Sequence, residues 1–165
     1  LCAAADDSGA DWVVCVPANR PFVDSTLIDQ LLAKARRQSE CDYLGYASCA
    51  GDFRRMEQLG LAGEACHADT LRRLRRNVDR LQGDDGNSIG SLLKNAPGAY
   101  HLKFVPVPSE LDRDDLRFAV EDELDWDDVQ LLCETVCEED SQWQQLTQLV
   151  MGNEVLRESM ATRNS

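Results

Sequence analysis

Hydrophobic positions along the chain alternate between short apolar runs and longer stripes at helical spacing, and the changeovers divide it into strands and helices. Trp12 to Val16 is a short run rich in β-branched residues with a turn signal behind it, which predicts a central strand. Upstream, Leu1 to Asp7 reads as the end of a helix stopped at Ser8-Gly9; downstream, Asp24 or Ser25 can cap a helix running through Lys34, with Leu27, Ile28, Leu31 and Leu32 on its apolar face. Cys41 to Ala47 predicts a second strand, and Ser48 to Gly60 a long polar loop suited to a lid. Leu61 to Cys66 predicts a further strand, weakened by Gly63. From a cap at Asp69 a helix then runs to about Leu81, with Leu71, Leu74, Val78 and Leu81 on one face.

The remaining pattern is a turn at Gly83 to Asn87, a short helix from Ile89 to Lys94 stopped by Asn95-Ala96-Pro97-Gly98, and a strand from Tyr100 to Val107. Leu116 to Val120 is one more apolar stretch. Asp125 to Cys137 predicts a helix with Trp126, Val129, Leu132, Cys133 and Val136 inward, followed by a helix from Gln142 to Met151 and a short helical turn from Glu154 to Met160. Such alternation places the chain in the α/β class, with a mixed, mainly parallel sheet. No internal repeat and no linker interrupts residues 1–165, which read as a single domain. In open α/β sheets ligands collect beyond the carboxyl ends of strands, so the Pro17-to-Pro21 loop, with Asn19 and Arg20 as its polar side chains, is either a site or an ordinary connection.

Composition narrows the choice. A chain of 165 residues buries about 70% of the surface its unfolded form exposes, so a core forms without staples. No stretch of eighteen or more apolar residues and no basic-then-apolar leader is present, which predicts a cytoplasmic protein with no membrane partner. Seven cysteines, an odd number with no Cys-x-x-Cys pair and mostly apolar neighbours, read as reduced core residues. Cys133 and Cys137 stand one helical turn apart without a His or further Cys nearby in sequence, and His67 and His101 are isolated, so a zinc site is not expected. The net charge of −13 argues against nucleic acid. Its source is local: Glu110 to Asp140 holds fourteen acids against two arginines, whereas Arg54, Arg55, Arg72, Arg73, Arg75, Arg76 and Arg80 make the middle of the chain basic.

Several motifs are collinear with one family. Ala4-Ala5-Asp6-Asp7-Ser8-Gly9-Ala10-Asp11 matches an Ala-Ala-x-x-Ser-Gly-Ala-Asp helix end, and Ala18-Asn19-Arg20-Pro21-Phe22-Val23-Asp24 loosely matches Gly-Asp-x-Pro-Leu-Ile-Asp. Arg117 to Asp125 corresponds to Arg-Leu-Thr-Val-Asp-x-x-x-Asp, and Trp143 through Asn153-Glu154-Val155-Leu156-Arg157 to a Trp-bearing helix followed by Asn-Pro-x-Leu-Arg. The chain thus resembles the cytidylyltransferases of the spore-coat polysaccharide type, relatives of the CMP-sugar synthetases, nearly from end to end.

The resemblance implies a nucleotide-diphospho-sugar transferase-like fold, a three-layer α/β/α sandwich, that transfers CMP from CTP to a sugar hydroxyl with release of pyrophosphate. It further implies magnesium bridging the phosphates and a homodimer. Residue by residue, it puts Asn19, Arg20 and Arg117 at catalytic positions, Pro21, Gly60 and Glu64 at nucleotide- and sugar-binding positions, and Glu121 with Asn19 at the metal. Departures follow the same register. Asn19 stands where the family has a carboxylate, Glu121 is one methylene longer than its counterpart, Ala62 replaces an acid, and Gly86-Asn87-Ser88-Ile89 replaces Glu-His-Val-Thr. The family's opening strand and Gly-rich phosphate loop have no counterpart, so the chain reads as the carboxy-terminal portion of such a domain. Two other readings stay open: a degenerate, non-catalytic binding or dimerisation module of the same fold, and a glycosyltransferase, against which Asp112-Arg113-Asp114 precedes its strand instead of ending one.

Overall fold

A computed structural model of the chain describes residues 1–38, 40–77, 88–95, 98–136 and 142–164. In chain order the elements are α1 (Cys2–Ser8), β1 (Trp12–Cys15), α2 (Ser25–Ala35), β2 (Tyr43–Ala47), α3 (Arg54–Leu59), β3 (Glu64–His67), α4 (Ala68–Asn77), α5 (Ile89–Lys94), β4 (Leu102–Pro106), a 3-10 turn (Ser109–Leu111), α6 (Glu123–Thr135), α7 (Trp143–Gly152) and α8 (Glu154–Arg163). The four strands form one sheet in the order β1-β3-β2-β4. Its character is mixed. β3 runs antiparallel to both neighbours, pairing Val13 with Cys66 and Tyr43 with Cys66, so within these strands the parallel share is smaller than the alternation pattern predicts. Asp42 N–H donates to His101 C=O at 3.0 Å and Val107 N–H to Ala47 C=O at 3.0 Å, an ascending register that makes β2 and β4 parallel. Among the described residues no helix is long and apolar enough to cross a membrane.

The chain divides into two compact units. The first comprises residues 1–17, 26–45 and 63–105. Its core gathers Tyr43 and Cys66 from the sheet with Leu71 and Leu74 of α4 and Ile89 and Leu93 of α5; burial pushes the Cys66 thiol far up, which suits a packed, inert cysteine. The spacing of Leu71 and Leu74 matches the predicted stripe, whereas Val78, Leu81, the predicted turn at 83–87 and residues 96–97 lie outside the described residues. Asp69 sits in the first turn of α4, and its N–H donates to the His67 imidazole Nδ1 at 3.3 Å, so His67 does the capping expected of Asp69. Gly63 is dictated by proximity: a Cβ there would lie 2.7 Å from the Cys15 carbonyl.

Asp42 ties this unit together. Its carboxylate accepts from Thr70 Oγ1 at 2.6 Å, Arg73 Nη1 at 2.9 Å and His101 N–H at 2.8 Å. Burial alone would raise the carboxyl; the Thr70, His101 and Arg73 donors outweigh it and hold it below the usual carboxylate range.

The second unit comprises residues 18–25, 46–62 and 106–165. Within the stretch predicted to be a loop, α3 forms over Arg54–Leu59, burying Met56 and Leu59 three positions apart and ending on Gly60 in the left-handed conformation. α6 is rotated from its predicted setting. Asp125, Val129 and Leu132 face inward, while Trp126 is 53% exposed and Cys133 is exposed. The inward carboxylate is stable there because two arginines meet it. Asp122 caps α6 by accepting from Asp125 N–H at 2.8 Å, and Asn153 caps α8 through Leu156 N–H at 3.1 Å. α8 extends to Arg163, three residues beyond the predicted helical turn.

Candidate functional site

Three segments of the second unit interlock by main-chain hydrogen bonds. The first is the 18–24 loop, which carries Asn19 and Arg20; the second runs from Gln58 to Ala62 at the end of α3; the third is Arg117 to Glu121, leading into α6. Asn19 C=O accepts from Val120 N–H at 2.8 Å, which sets the first segment against the third one residue before Glu121. Leu61 C=O accepts from Asp24 N–H at 2.8 Å, and Gln58 C=O from Phe118 and Ala119 N–H at 3.3 and 3.1 Å. Phe22 and Phe118 close the same junction edge to face, 6.1 Å between centroids.

Gly60 sits at the tightest point. Its φ of +70° is left-handed, and a Cβ would fall 2.4 Å from Ala119 N and 2.8 Å from both Ala119 Cα and the Phe118 carbonyl carbon. Only glycine satisfies both conditions.

Arg20 is buried and donates through Nη1 to the Ala62 carbonyl; Pro21 beside it is exposed. Asp24, also buried, accepts from Trp143 N–H at 3.0 Å and so supports the start of α7. Burial, with this carboxylate nearby, pushes the Tyr46 hydroxyl up to about 12.

The third segment is governed by one ion-pair network. Arg117 clamps Asp125 with Nε at 2.7 Å and Nη2 at 3.0 Å, and Nη2 also reaches Glu121 Oε2 at 2.7 Å. Arg163 Nε adds a bond to Asp125 Oδ1 at 3.0 Å and pairs with Asp128. Glu121 N–H donates to Asp125 Oδ2 at 2.9 Å. Burial alone would raise the Asp125 carboxyl, but the Arg117 and Glu121 N–H donors and the two guanidinium charges hold it below its usual range. Glu121 itself stays half-exposed, at 49%. It opens onto a shallow depression of about 600 Å³, lined by Val120, Glu121, Asp122, Glu123, Trp126 and Asp127.

Asn19, Arg20, Pro21, Gly60, Arg117 and Glu121 therefore all belong to the second unit. Glu64 does not. It lies in the first unit, where its buried carboxylate accepts from Gly90 N–H at 3.1 Å. At the junction the Asn19 main-chain carbonyl is taken by Val120 N–H and the Glu121 carboxylate is half-exposed, and among the described residues no group of three His, Cys, Asp or Glu is placed to share a metal. Asp125, Arg163 and Asn164 are functional candidates that hydropathy missed. Asp125 had a signal, as the last residue of the Arg117-to-Asp125 motif; Arg163 and Asn164 had none.

No protein-family model matches the chain, and no curated protein matches it in sequence. Among solved structures it is similar to a cytidylyltransferase from Leptospira borgpetersenii serovar Hardjo-bovis (strain JB197), with a TM-score of 0.70 at 15% identity over 94% of this chain. The match spans 62% of that chain's length. At this identity the likeness is one of fold. The chain thus shares its mixed α/β fold with a cytidylyltransferase.

Proposed function

We propose that the chain is part of a cytidylyltransferase-like nucleotidyltransferase that forms a CMP-sugar from CTP and a sugar, for surface polysaccharide synthesis. In this reaction a sugar hydroxyl oxygen bonds to the α-phosphorus of CTP, the bond from that phosphorus to the bridging oxygen breaks, pyrophosphate leaves, and the hydroxyl proton passes to solvent. The observation that carries the reading is the Asn19 C=O to Val120 N–H bond, which sets side by side the two segments in which the resembled family carries its acidic motifs. The likeness in fold supports it.

Magnesium usually keeps most of its ligands as water and substrate phosphate and asks one or two oxygen groups of the protein. The half-exposed Glu121 carboxylate fits that modest demand, with Asn19 of the adjoining loop as the second oxygen donor that the resemblance implies, and this suits an ion that arrives with the triphosphate. When bound, the ion supplies charge neutralisation on the phosphates. The chain's own part is to place Glu121, through Arg117 and Asp125, and to hold the Asn19 loop against it.

The test is calorimetric titration of Mg·CTP into the full-length protein, alongside pyrophosphate release with candidate sugars. Wild type binds, and Asn19→Asp tightens binding by about tenfold, ~1.4 kcal/mol, because a carboxylate replaces a neutral donor. Absence of binding in both proteins, with no pyrophosphate from any sugar, overturns the enzyme reading. The non-catalytic module is then favoured, and one observation already speaks for it: Arg117, Gly60 and Glu64 are engaged in holding the fold.

A further inference from the structure

Glu121 is held at two points, and both lead to the end of α8. Its N–H is bonded to Asp125 Oδ2 and its Oε2 to Arg117 Nη2. Asp125 and Arg117 are in turn held from one place. Arg163, in the last turn of α8, donates to Asp125 Oδ1 at 3.0 Å, to Ser159 Oγ at 2.7 Å and to Asp128. Asn164 follows it. Its Oδ1 accepts from Arg117 Nη1 at 3.3 Å, and its Nδ2 donates to the carbonyls of Asp114 at 2.8 Å and Leu116 at 3.0 Å, the main chain leading into Arg117.

Charge makes this contact more than packing. Among the described residues, Asp125, Asp128 and Glu121 meet two cations, Arg117 and Arg163. With Arg163 in place, Asp125 has its own second cation and Arg117 can serve Glu121 as well; without it, Asp125 and Glu121 compete for one guanidinium. Side chains at 1%, 4% and 11% exposure for Asp125, Arg117 and Arg163 keep water from replacing the lost partner cheaply.

We propose that Arg163 and Asn164 are positioning residues for Glu121, so that the last turn of α8 sets the geometry of the candidate nucleotide site from about forty residues downstream in sequence. The consequence for function rests on the reading of Glu121 given above. The positioning itself does not.

Two variants of the full-length protein, Asn164→Ala and Arg163→Gln, test it by amide hydrogen exchange and by Mg·CTP titration. In both, the Glu121 amide exchanges about tenfold faster while those of Val129 and Leu132 within α6 keep their wild-type rates. Mg·CTP affinity falls by about tenfold, the usual scale for partners that orient a ligand residue. Unchanged exchange at Glu121, or an equal acceleration across all of α6, overturns the proposal, the second because it marks general destabilisation. If Asn164→Ala does not fold, Arg163→Gln decides, since it removes the second cation and keeps most of the side-chain stem. If wild type does not bind Mg·CTP, the exchange rates alone decide the positioning.

Discussion

Replacing Gly60 by alanine separates a glycine required by the backbone from one kept for a ligand. Two costs add at this position. A left-handed conformation costs an L-residue about 1–2 kcal/mol, and forcing a methyl into packed surroundings typically costs about 1–3 kcal/mol. The second cost is at its upper end here, because the atoms in the way, Ala119 N and Cα and the Phe118 carbonyl carbon, are main chain and cannot rotate aside. A total of about 3–5 kcal/mol follows. Gly51 is the internal control: its φ is +83°, and a Cβ there meets nothing within 4 Å, so Gly51→Ala carries only the first cost. Urea unfolding followed by far-ultraviolet circular dichroism and by fluorescence of the buried Trp143 measures both variants. Gly60→Ala falls below Gly51→Ala by about 2 kcal/mol or more, roughly thirtyfold in the unfolding constant. Equal losses in the two variants would refute the reasoning, since they would mean that the junction yields to the methyl without cost.

Asp125→Ala leaves Arg117 and Arg163 buried without their shared carboxylate, and costs about 3–5 kcal/mol in the same unfolding assay; a loss under 1 kcal/mol would show that water or Asp128 replaces it. Stability also depends on acid through Asp42. Its folded carboxyl titrates below the unfolded value near 3.9, so its contribution is complete above that value and is lost as the pH falls through the lower, folded one. Asp42→Asn is therefore less stable than wild type at neutral pH and approaches it as the pH drops below about 4, and a constant gap between the two across that window would contradict the assignment.

Local pattern made much of the fold legible. β1 is readable in Trp12 to Cys15 because an apolar run of that length, rich in branched residues and bounded by turns, has few other solutions. α2 is readable because Leu27 and Leu31 recur at helical spacing, and both are buried. α3 escapes the pattern for a physical reason: among the described side chains of its six residues Met56 and Leu59 are buried, too short a stripe to stand out from a polar stretch. The setting of α6 departs from its hydropathy for another. Hydropathy turns Trp126 inward, yet Asp125 takes that place because partners 8 and 38 residues away neutralise it.

The sequence by itself therefore determined the α/β class, most of the helices and strands, and the two motif segments around Asn19 and Glu121, since each rests on neighbours along the chain. Tertiary structure decided three other things. It made β3 antiparallel to both its neighbours, it fixed Gly60 against Ala119, and it joined Glu121 to the end of α8 through Arg117, Asp125, Arg163 and Asn164. Each depends on groups brought together from distant positions, where hydrogen-bond geometry and the cost of burying an unpaired charge select the partner, and neither is written in the periodicity of a single segment.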